Sequence, residues 1–229
     1  MISEVHNVSV DAALRATRES RIRIGFPTPD VWRDAPAHYD EHTLTIEGHP
    51  VMEDWETGYM RDLAEIATRS GGTILEVGFG MGISATHIQS RYIREHIIIE
   101  ANRHVYDYAT AFAKSAPVRT RALFGMWESI TPLLPDGSIT GILFDTYPLS
   151  ETEIHQNHFA FFPEAYRLLM PGGVLTYYSD EVEDFSESHR DALMRAGFRH
   201  IDKRISTVSP PEDCLYWRNP TIVAPIITR

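Results

Sequence analysis

The sequence predicts an α/β fold in which helices cover both faces of a mainly parallel sheet, and three observations support this prediction. Strand-sized apolar runs alternate with helical patterns along residues 50–229. A glycine-rich turn at residues 78–82 connects one such run directly to a helical pattern. Acidic residues, Glu100 and Asp145, end two further strands. Ligands of such sheets bind beyond the carboxyl ends of the strands, so these residues mark the candidate site.

Residues 1–30 differ in character from the rest of the chain and are predicted to form an N-terminal arm. Residues 10–18 fit a short helix, and the alternation of charged and apolar residues over 21–25 fits a short strand. A proline-punctuated loop around Trp32 follows. We expect the arm either to contact a second copy of the chain, giving a homodimer, or to be a loosely ordered terminus.

Residues 31–229 are predicted to form one domain whose elements follow each other in a regular order. A first helix is predicted over residues 51–67, where apolar residues recur at helical spacing. The predicted strands are 73–77, 96–100, 119–124, 138–145, 174–178, 200–206 and 222–227. The later predicted helices are 83–90, 102–115, 150–170 with an interruption near Pro163, and 188–196. A turn is predicted at residues 171–173.

The composition argues against several classes of function. The 229 residues include 21 Lys and Arg against 32 Asp and Glu, a net charge of −11, and such a surface repels nucleic-acid backbones. The single cysteine, Cys214, excludes an intramolecular disulfide and a cysteine-rich zinc site. No apolar run is long enough to span a membrane, and the start of the chain lacks the pattern of a signal peptide. We therefore expect a soluble, cytoplasmic protein with no nucleic-acid or membrane partner.

Two histidines have a spacing that a metal site could use. His155 and His158 are three residues apart on a predicted helix. A third ligand is not evident near them, so we interpret them as surface or packing residues and expect no metal.

The glycine-rich turn at residues 78–82 is typical of a place where the backbone approaches a ligand closely. A dinucleotide favours G-x-G-x-x-G, but Ile83 stands where the third glycine would be, and Glu76 would lie near the diphosphate. S-adenosylmethionine has no phosphate, and a carboxylate can bind its ribose hydroxyls. Glu100, 22 residues after Gly78, ends the next strand. The turn and Glu100 favour an adenosine cofactor without identifying the methyl donor.

Two further acidic residues are candidates for the chemistry. Asp145 follows the fourth predicted strand, where it would face the reactive end of a cofactor or, alternatively, cap a turn. Glu56 lies on the first predicted helix, where a single glutamate is most often a solvated surface residue. Residue spacing alone therefore does not assign Glu56 a role.

Several segments of the chain closely resemble the guanidinoacetate N-methyltransferases, the creatine-forming family. These segments are residues 50–60, 75–81, 96–100, 141–150, 169–177 and 208–214. The resemblance implies a Rossmann-like class I methyltransferase fold, with a seven-stranded, mainly parallel sheet, helices on both faces and an antiparallel last strand. It also implies S-adenosyl-L-methionine as the cofactor and S-adenosyl-L-homocysteine as its product.

The same resemblance implies residues for the site. It places the catalytic, guanidino-binding acids at Glu56 and Asp145. It places the cofactor contacts at Trp32, Met52, Met60, Gly78, Phe79, Gly80, Met81, Gly82, Ile83, Glu100, Ala101, Asn102, Met126, Trp127 and Asp145.

One segment departs from the family pattern, in which a longer stretch after the fifth strand holds the carboxylate of guanidinoacetate through backbone amides. This chain instead has a shorter loop with five acidic residues between Asp180 and Glu187 and no basic residue. Such a loop suits an ammonium group better than a carboxylate. We therefore expect free L-arginine, or a similar guanidino amino acid, as the substrate. Its predicted contacts are Glu56, Asp145, Tyr147, Ser179, Asp180 and Glu181.

Other functions stay open at this point. The loop could be solvated without touching a substrate, and guanidinoacetate itself could be the substrate. An NAD-dependent oxidoreductase is disfavoured by the glycine spacing. A non-catalytic S-adenosylmethionine-binding protein is disfavoured by the presence of both acids.

Overall fold

The computed structural model describes residues 2–229, with side chains from residue 12 onward. A seven-stranded sheet forms its centre, and helices pack on both faces of that sheet. A separate three-stranded sheet lies earlier in the chain. Within the described part of the chain, helices long and apolar enough to cross a membrane are not found.

The central sheet has the strand order β6-β5-β4-β7-β8-β10-β9. Its strands are β4 Thr73–Val77, β5 Glu95–Glu100, β6 Thr120–Phe124, β7 Ile139–Phe144, β8 Leu169–Tyr177, β9 His200–Thr207 and β10 Thr221–Thr228. Strands β4 to β8 pair in parallel, while β10 runs antiparallel to both of its neighbours, β8 and β9. This confirms the predicted sheet, including its antiparallel last strand. Strands β5 and β6 are added on one side of β4, and β7 and β8 on the other side. The order of strands therefore switches between β4 and β7, and a ligand crevice is expected beyond their carboxyl ends.

The helices of the domain divide between the two faces of the sheet. They are α2 Pro29–Asp34, α3 Thr57–Thr68, α4 Ile83–Gln89, α5 Arg103–Ser115, α6 Trp127–Ile130, α7 Phe162–Leu168 and α8 Glu187–Ala196. Ile74 of β4 packs into the apolar cluster that holds buried residues of α3, α4 and α5. Its neighbour Leu75 packs into the cluster that holds buried residues of α7 and α8. Alternate side chains of one strand therefore anchor both helical layers.

The N-terminal region forms one helix, α1 Ile2–Ile24, so the strand predicted over residues 21–25 is wrong. A strand would have turned Ile22 and Ile24 inward together, but both are exposed in the structure. In the helix, Thr17 and Arg21 share a buried face instead. Five alternating residues are too few to distinguish the two conformations.

The segment before α3 also differs from its prediction. Residues 51–53 belong not to a helix but to a three-stranded antiparallel sheet of β1 Ala37–Tyr39, β2 Thr43–Ile46 and β3 His49–Glu53. A tight turn in which Glu47 and Gly48 both have positive φ connects β2 to β3. A 3-10 turn, Asp54–Glu56, then leads into α3. The hairpin partner overrides the helical spacing of the apolar residues.

Two boundaries near β8 are corrected as well. Of the helix predicted over residues 150–170, only α7 is α-helical, and 3-10 turns precede it. Pro163 lies in the first turn of α7, where backbone N–H groups have no acceptor within the helix. The proline therefore occurs at the start of a helix and does not interrupt one. The turn predicted at residues 171–173 is an irregular part of β8, with a register shift opposite Ile139 and Gly141.

Candidate active site

A cavity of about 250 Å³ opens at the carboxyl ends of β4, β5, β7 and β8. Nine of the predicted cofactor residues line it, namely Trp32, Met52, Gly78, Gly80, Glu100, Ala101, Met126, Trp127 and Asp145. The other predicted cofactor residues are not among the lining residues, namely Met60, Phe79, Met81, Gly82, Ile83 and Asn102. Of these, Met60 is fully buried in the apolar core, and Asn102 caps α5 through Val105.

The glycine turn brings β4 and the end of β7 into close contact. A Cβ on Gly78 would lie 1.9 Å from the carbonyl oxygen of Asp145, and Gly78 has a φ of +92°. The amide of Asp145 donates to the carbonyl of Val77 at 2.9 Å. Gly78 therefore permits the approach that sets Asp145 beside the turn.

Glu100 at the end of β5 organises the backbone of the turn. One carboxylate oxygen accepts from the amide of Phe79 at 2.9 Å, and the other accepts from the amide of Asn102 at 2.8 Å. Burial raises the pKa of Glu100, and backbone hydrogen bonds from Phe79, Asn102, Ala101 and Gly80 act in the opposite direction.

Glu56 is buried in the wall of the cavity, at the end of the 3-10 turn that precedes α3. Its Oε1 accepts from the Tyr216 hydroxyl at 2.6 Å and from the Glu53 amide at 2.9 Å. Burial, followed by the charge of Asp145, raises the pKa of Glu56 to about 8. Among the described residues, Oε2 has no hydrogen-bond donor, so it is available to a ligand.

Asp145 lies in the same cavity and follows β7 directly. Burial, followed by the charges of Asp180 and Glu76, raises the pKa of Asp145 to about 7. The charge of Asp145 in turn raises the pKa of Glu56, so the two carboxyl groups interact across one space. Two buried acids that repel each other are suited to bind a cation.

Asp180 is the third acid of the cavity, but its state differs from the other two. Its Oδ1 lies 3.0 Å from Nδ1 of His155, as an ion pair rather than a well-aligned hydrogen bond. Burial is the largest single influence and acts to raise the pKa of Asp180, but the interactions with His155 and the charges of Arg21 and His158 together outweigh it and bring the pKa to about 2. Both residues have positive φ, 55° and 64°. Asp180 is therefore a fixed negative charge near neutral pH.

The structure does not bring Ser179 and Glu181 into the cavity. The Ser179 hydroxyl donates to the carbonyl of Val223 at 2.7 Å. The Glu181 carboxylate accepts from the amide and the hydroxyl of Ser186. Among the five acidic side chains of the described loop, only Asp180 lines the cavity.

Aromatic residues complete the cavity, and sequence reasoning found only some of them. Tyr147 stacks on Trp32 with ring centroids 5.1 Å apart, and its hydroxyl lies 2.9 Å from Nδ1 of His49. Tyr178 and Tyr216 also line the cavity and were missed. Tyr178 directly follows β8, so the strand-end rule could have found it. Nothing near Tyr216 in the sequence indicates its contact with Glu56.

The two histidines with metal-like spacing have separate environments. His155 pairs with Asp180, whereas His158 is buried and stacks on Tyr177 at 4.8 Å between ring centroids. Across residues 12–229, groups of three or more His, Cys, Asp or Glu side chains placed to hold a metal are not found.

Comparison with known proteins adds a family match. Residues 24–229 match the sequence profile of the family described as guanidinoacetate N-methyltransferase. The match therefore begins at the last residue of α1 and includes the whole central sheet.

Individual relatives share part of this region. Protein arginine N-methyltransferase 2 of Candida glabrata is 29% identical over 160 residues, which are 66% of this chain and 38% of that protein. The protein of the same name from Saccharomyces cerevisiae is 33% identical over 150 residues, 61% of this chain and 35% of that protein. The chain thus spans little more than a third of the length of these relatives.

Solved structures agree on the fold. Spermidine synthase from Thermotoga maritima has a TM-score of 0.60 at 14% identity, and covers 86% of this chain and 72% of its own. The structure of TYW2 from M. jannaschii in complex with AdoMet has a TM-score of 0.58 at 12% identity, and covers 86% of this chain and 85% of its own. The fold is that of the class I methyltransferases, as the sequence predicts.

Proposed function

The chain belongs to the guanidinoacetate N-methyltransferase family, and from this we propose that it methylates a guanidino nitrogen of a small guanidino amino acid, with free L-arginine as the favoured substrate. Membership makes it a methyltransferase whose cofactor is S-adenosyl-L-methionine and whose cofactor product is S-adenosyl-L-homocysteine. An NAD-dependent oxidoreductase is no longer an alternative.

The residues at one end of the cavity fit the cofactor. Glu100 lines the cavity at the strand end where the ribose hydroxyls of the cofactor would be bound. Gly80 has no side chain to fill the space, since a Cβ there would lie 2.9 Å from the sulfur of Met52. Trp32 and Met126 supply apolar surface for the adenosine.

The observation that carries the proposal is the pair of acids, Glu56 and Asp145, in one cavity. A guanidinium is planar and forms forked hydrogen bonds with carboxylates. Glu56 keeps one oxygen free, and the Asp145 carboxylate has no hydrogen-bond donor among the described residues. Two acids with unused oxygens and raised pKa values form a receptor for a flat cation.

The same two acids account for the reaction. When bound, the cofactor supplies an electrophilic methyl group, whose C–S bond breaks as the guanidino nitrogen forms the new N–C bond. A sulfonium and a guanidinium repel each other by roughly 4 kcal/mol at about 4 Å and an effective dielectric constant near 20. Glu56 and Asp145 offset this repulsion and fix the guanidinium plane. Asp145, with a pKa raised to about 7, accepts the proton that the nitrogen releases.

The choice of free L-arginine rests on Asp180. A fixed, buried negative charge in the same cavity can bind an α-ammonium group, which arginine has and guanidinoacetate lacks. The second candidate is guanidinoacetate, which the family description favours. Peptide-bound arginine is the third candidate substrate, because relatives are named protein arginine N-methyltransferase 2. The chain covers only 38% of the length of the first of these relatives.

A methyl-transfer assay with S-adenosylmethionine and each of L-arginine, guanidinoacetate and an arginine-containing peptide tests the proposal. We expect the highest kcat/KM for L-arginine. Asp180→Asn should lower kcat/KM for L-arginine more than for guanidinoacetate, by roughly 10-fold. A far higher kcat/KM for guanidinoacetate or the peptide would make the choice of arginine wrong. Absence of transfer to all three would remove the guanidino function.

A further inference from the structure

Arg21 of α1 reaches the same cavity from outside the region that matches the family. Its side chain is only 7% exposed and lines the cavity with Glu56, Asp145 and Asp180. The family match begins at residue 24, three positions later. Family membership therefore says nothing about what Arg21 does.

The Arg21 guanidinium is held by rings rather than by acids. Its central carbon lies 5.8 Å from the ring centroid of Tyr147 and 5.8 Å from that of Tyr216. Its buried Nε has no hydrogen-bond partner in the described part of the chain. Between residues 12 and 229, carboxylates within 4.0 Å of Arg21 are not found. A buried cation with unused donors is costly unless an anion completes its surroundings.

The charge of Arg21 nevertheless reaches the substrate region. It acts to lower the pKa values of Asp145 and Asp180, and in both cases burial is the larger influence. Arg21 and Asp180 thus bring opposite charges to one cavity. The zwitterionic end of a free amino acid carries a carboxylate and an ammonium on the same carbon atom. A site that binds it therefore needs a positive and a negative group.

We propose that Arg21 binds the α-carboxylate of the substrate and so selects a free amino acid. This rests on the proposed function, in which Glu56 and Asp145 hold the guanidinium and Asp180 the α-ammonium. A guanidinium fork matches a carboxylate with two parallel hydrogen bonds, and Arg21 lines the cavity without an acidic partner of its own among the described residues. A residue contributed by α1 therefore determines the specificity of a site whose reacting end is built by the family domain.

A different role, in which Arg21 mimics the substrate guanidinium and blocks the site, fits the geometry less well. A mimic would pair with the two acids, but neither Glu56 nor Asp145 forms an ion pair with Arg21. The free Oε2 of Glu56 and the unpaired Asp145 carboxylate leave the guanidinium position open to a ligand.

Calorimetry on protein loaded with S-adenosylhomocysteine tests this role without turnover. The probes are L-arginine and agmatine, which keeps the guanidinium and an amine but lacks the carboxylate. Arg21→Ala should weaken L-arginine binding by roughly 10- to 100-fold and change agmatine binding by less than about threefold. Arg21→Lys keeps the charge but loses the forked pair of donors. Its affinity for L-arginine should therefore lie between that of the wild type and that of Arg21→Ala. Arg23→Ala, an exposed position on the same helix, should leave both affinities unchanged.

Each other outcome overturns the inference in a recognisable way. Equal affinity of the wild type for L-arginine and agmatine would remove the carboxylate contact and leave the proposed function intact. Tighter binding of both probes by Arg21→Ala would show a blocking role. Weaker binding of S-adenosylhomocysteine by Arg21→Ala, with an unchanged ratio of the two probes, would assign Arg21 to the cofactor. Failure of the wild type to bind either probe would remove the inference and the proposed function together.

Discussion

The cofactor end of the cavity is formed mainly by backbone groups, whereas its substrate end is formed mainly by side chains. At the cofactor end, successive strand ends and the turn at residues 78–82 present backbone and glycine, and Glu100 is fixed by two backbone amides. At the substrate end, single side chains converge from distant places, such as Arg21 of α1 and Tyr216 near the C-terminus. The cofactor end is built mainly from strand ends and the turn after β4, whereas the substrate end is built from side chains far apart in the sequence.

The two ends also differ in how well their polar groups are satisfied. Both oxygens of Glu100 have donors, whereas the Nε of Arg21 and the hydroxyl of Tyr178 have no partner in the described part of the protein. Glu56 and Asp145 have pKa values near 8 and 7, because burial and the charges of neighbouring acids oppose their ionisation. Buried polar groups without partners and charges that repel each other destabilise the free protein. A bound ligand can supply the missing partners and lower this cost. Variants at the two ends should therefore fail in different ways.

The largest expected effect is on the acids of the substrate end. Asp145→Asn and Glu56→Gln should each lower kcat by at least about 10²-fold, because each removes a charge that offsets the guanidinium and the sulfonium. For Glu56→Gln, affinity for S-adenosylhomocysteine, measured by calorimetry, should stay close to that of the wild type, because Glu56 is not a predicted cofactor contact. Near-normal turnover in either variant would exclude that acid from the mechanism.

Thermal unfolding provides the control for these two variants. A carboxyl group whose pKa is raised in the folded state contributes stability below its unfolded pKa, and this contribution is lost as the pH rises through the folded value near 7 or 8. Replacement by the neutral amide should therefore raise the midpoint clearly at pH 9 and much less at pH 5. A lower midpoint at pH 9 would mean that the inactive variants are simply misfolded.

The next effect is at the cofactor end, where backbone spacing is the essential feature. Gly78→Ala should lower the free energy of unfolding by at least about 2 kcal/mol, since its Cβ would collide with the Asp145 carbonyl at 1.9 Å. Gly48→Ala is a matched control, because Gly48 also has a positive φ, +76°, but open space around it. Urea unfolding should show only the strain of roughly 1–2 kcal/mol for Gly48→Ala. Equal losses in the two variants would mean that the close approach at Gly78 is unimportant.

This contrast explains how much could be predicted from the sequence. Strand β4 and the glycine turn follow local rules of apolar pattern and backbone freedom, so the mainly parallel sheet, the turn and Glu100 were predicted from the residues alone. The antiparallel last strand and the other cofactor contacts were predicted only through the family resemblance. Glu56 and Tyr216 are 160 residues apart, and no local pattern connects them. Arg21 was assigned to a strand because five alternating residues fit either conformation. The extent of the N-terminal arm and a contact between two copies stay predictions.

A smaller effect, of about tenfold per pH unit, should appear in the pH dependence of substrate binding. The guanidinium needs both carboxyl groups ionised, and their raised pKa values keep them largely protonated below pH 7. The value of kcat/KM should therefore rise between pH 6 and pH 8.5. Calorimetry in two buffers of different ionisation enthalpy should show proton release on L-arginine binding at pH 7 and less at pH 9. Constant kcat/KM over this range would mean that both acids are already ionised in the free enzyme.

The smallest effect distinguishes an exposed arginine of α1 from a buried one. Arg18 and Glu151 form an ion pair at 3.2 Å, with side chains 42% and 56% exposed, whereas Arg21, three residues after Arg18, is buried. Solvent screens exposed pairs, so a double-mutant cycle of Arg18→Ala and Glu151→Gln should give a coupling free energy of about 0.2–1 kcal/mol that falls with added salt. The selectivity for L-arginine over agmatine should not change, because neither residue lines the cavity. A change in selectivity here would mean that α1 acts through its position on the surface, and that Arg21 is not the residue that recognises the substrate.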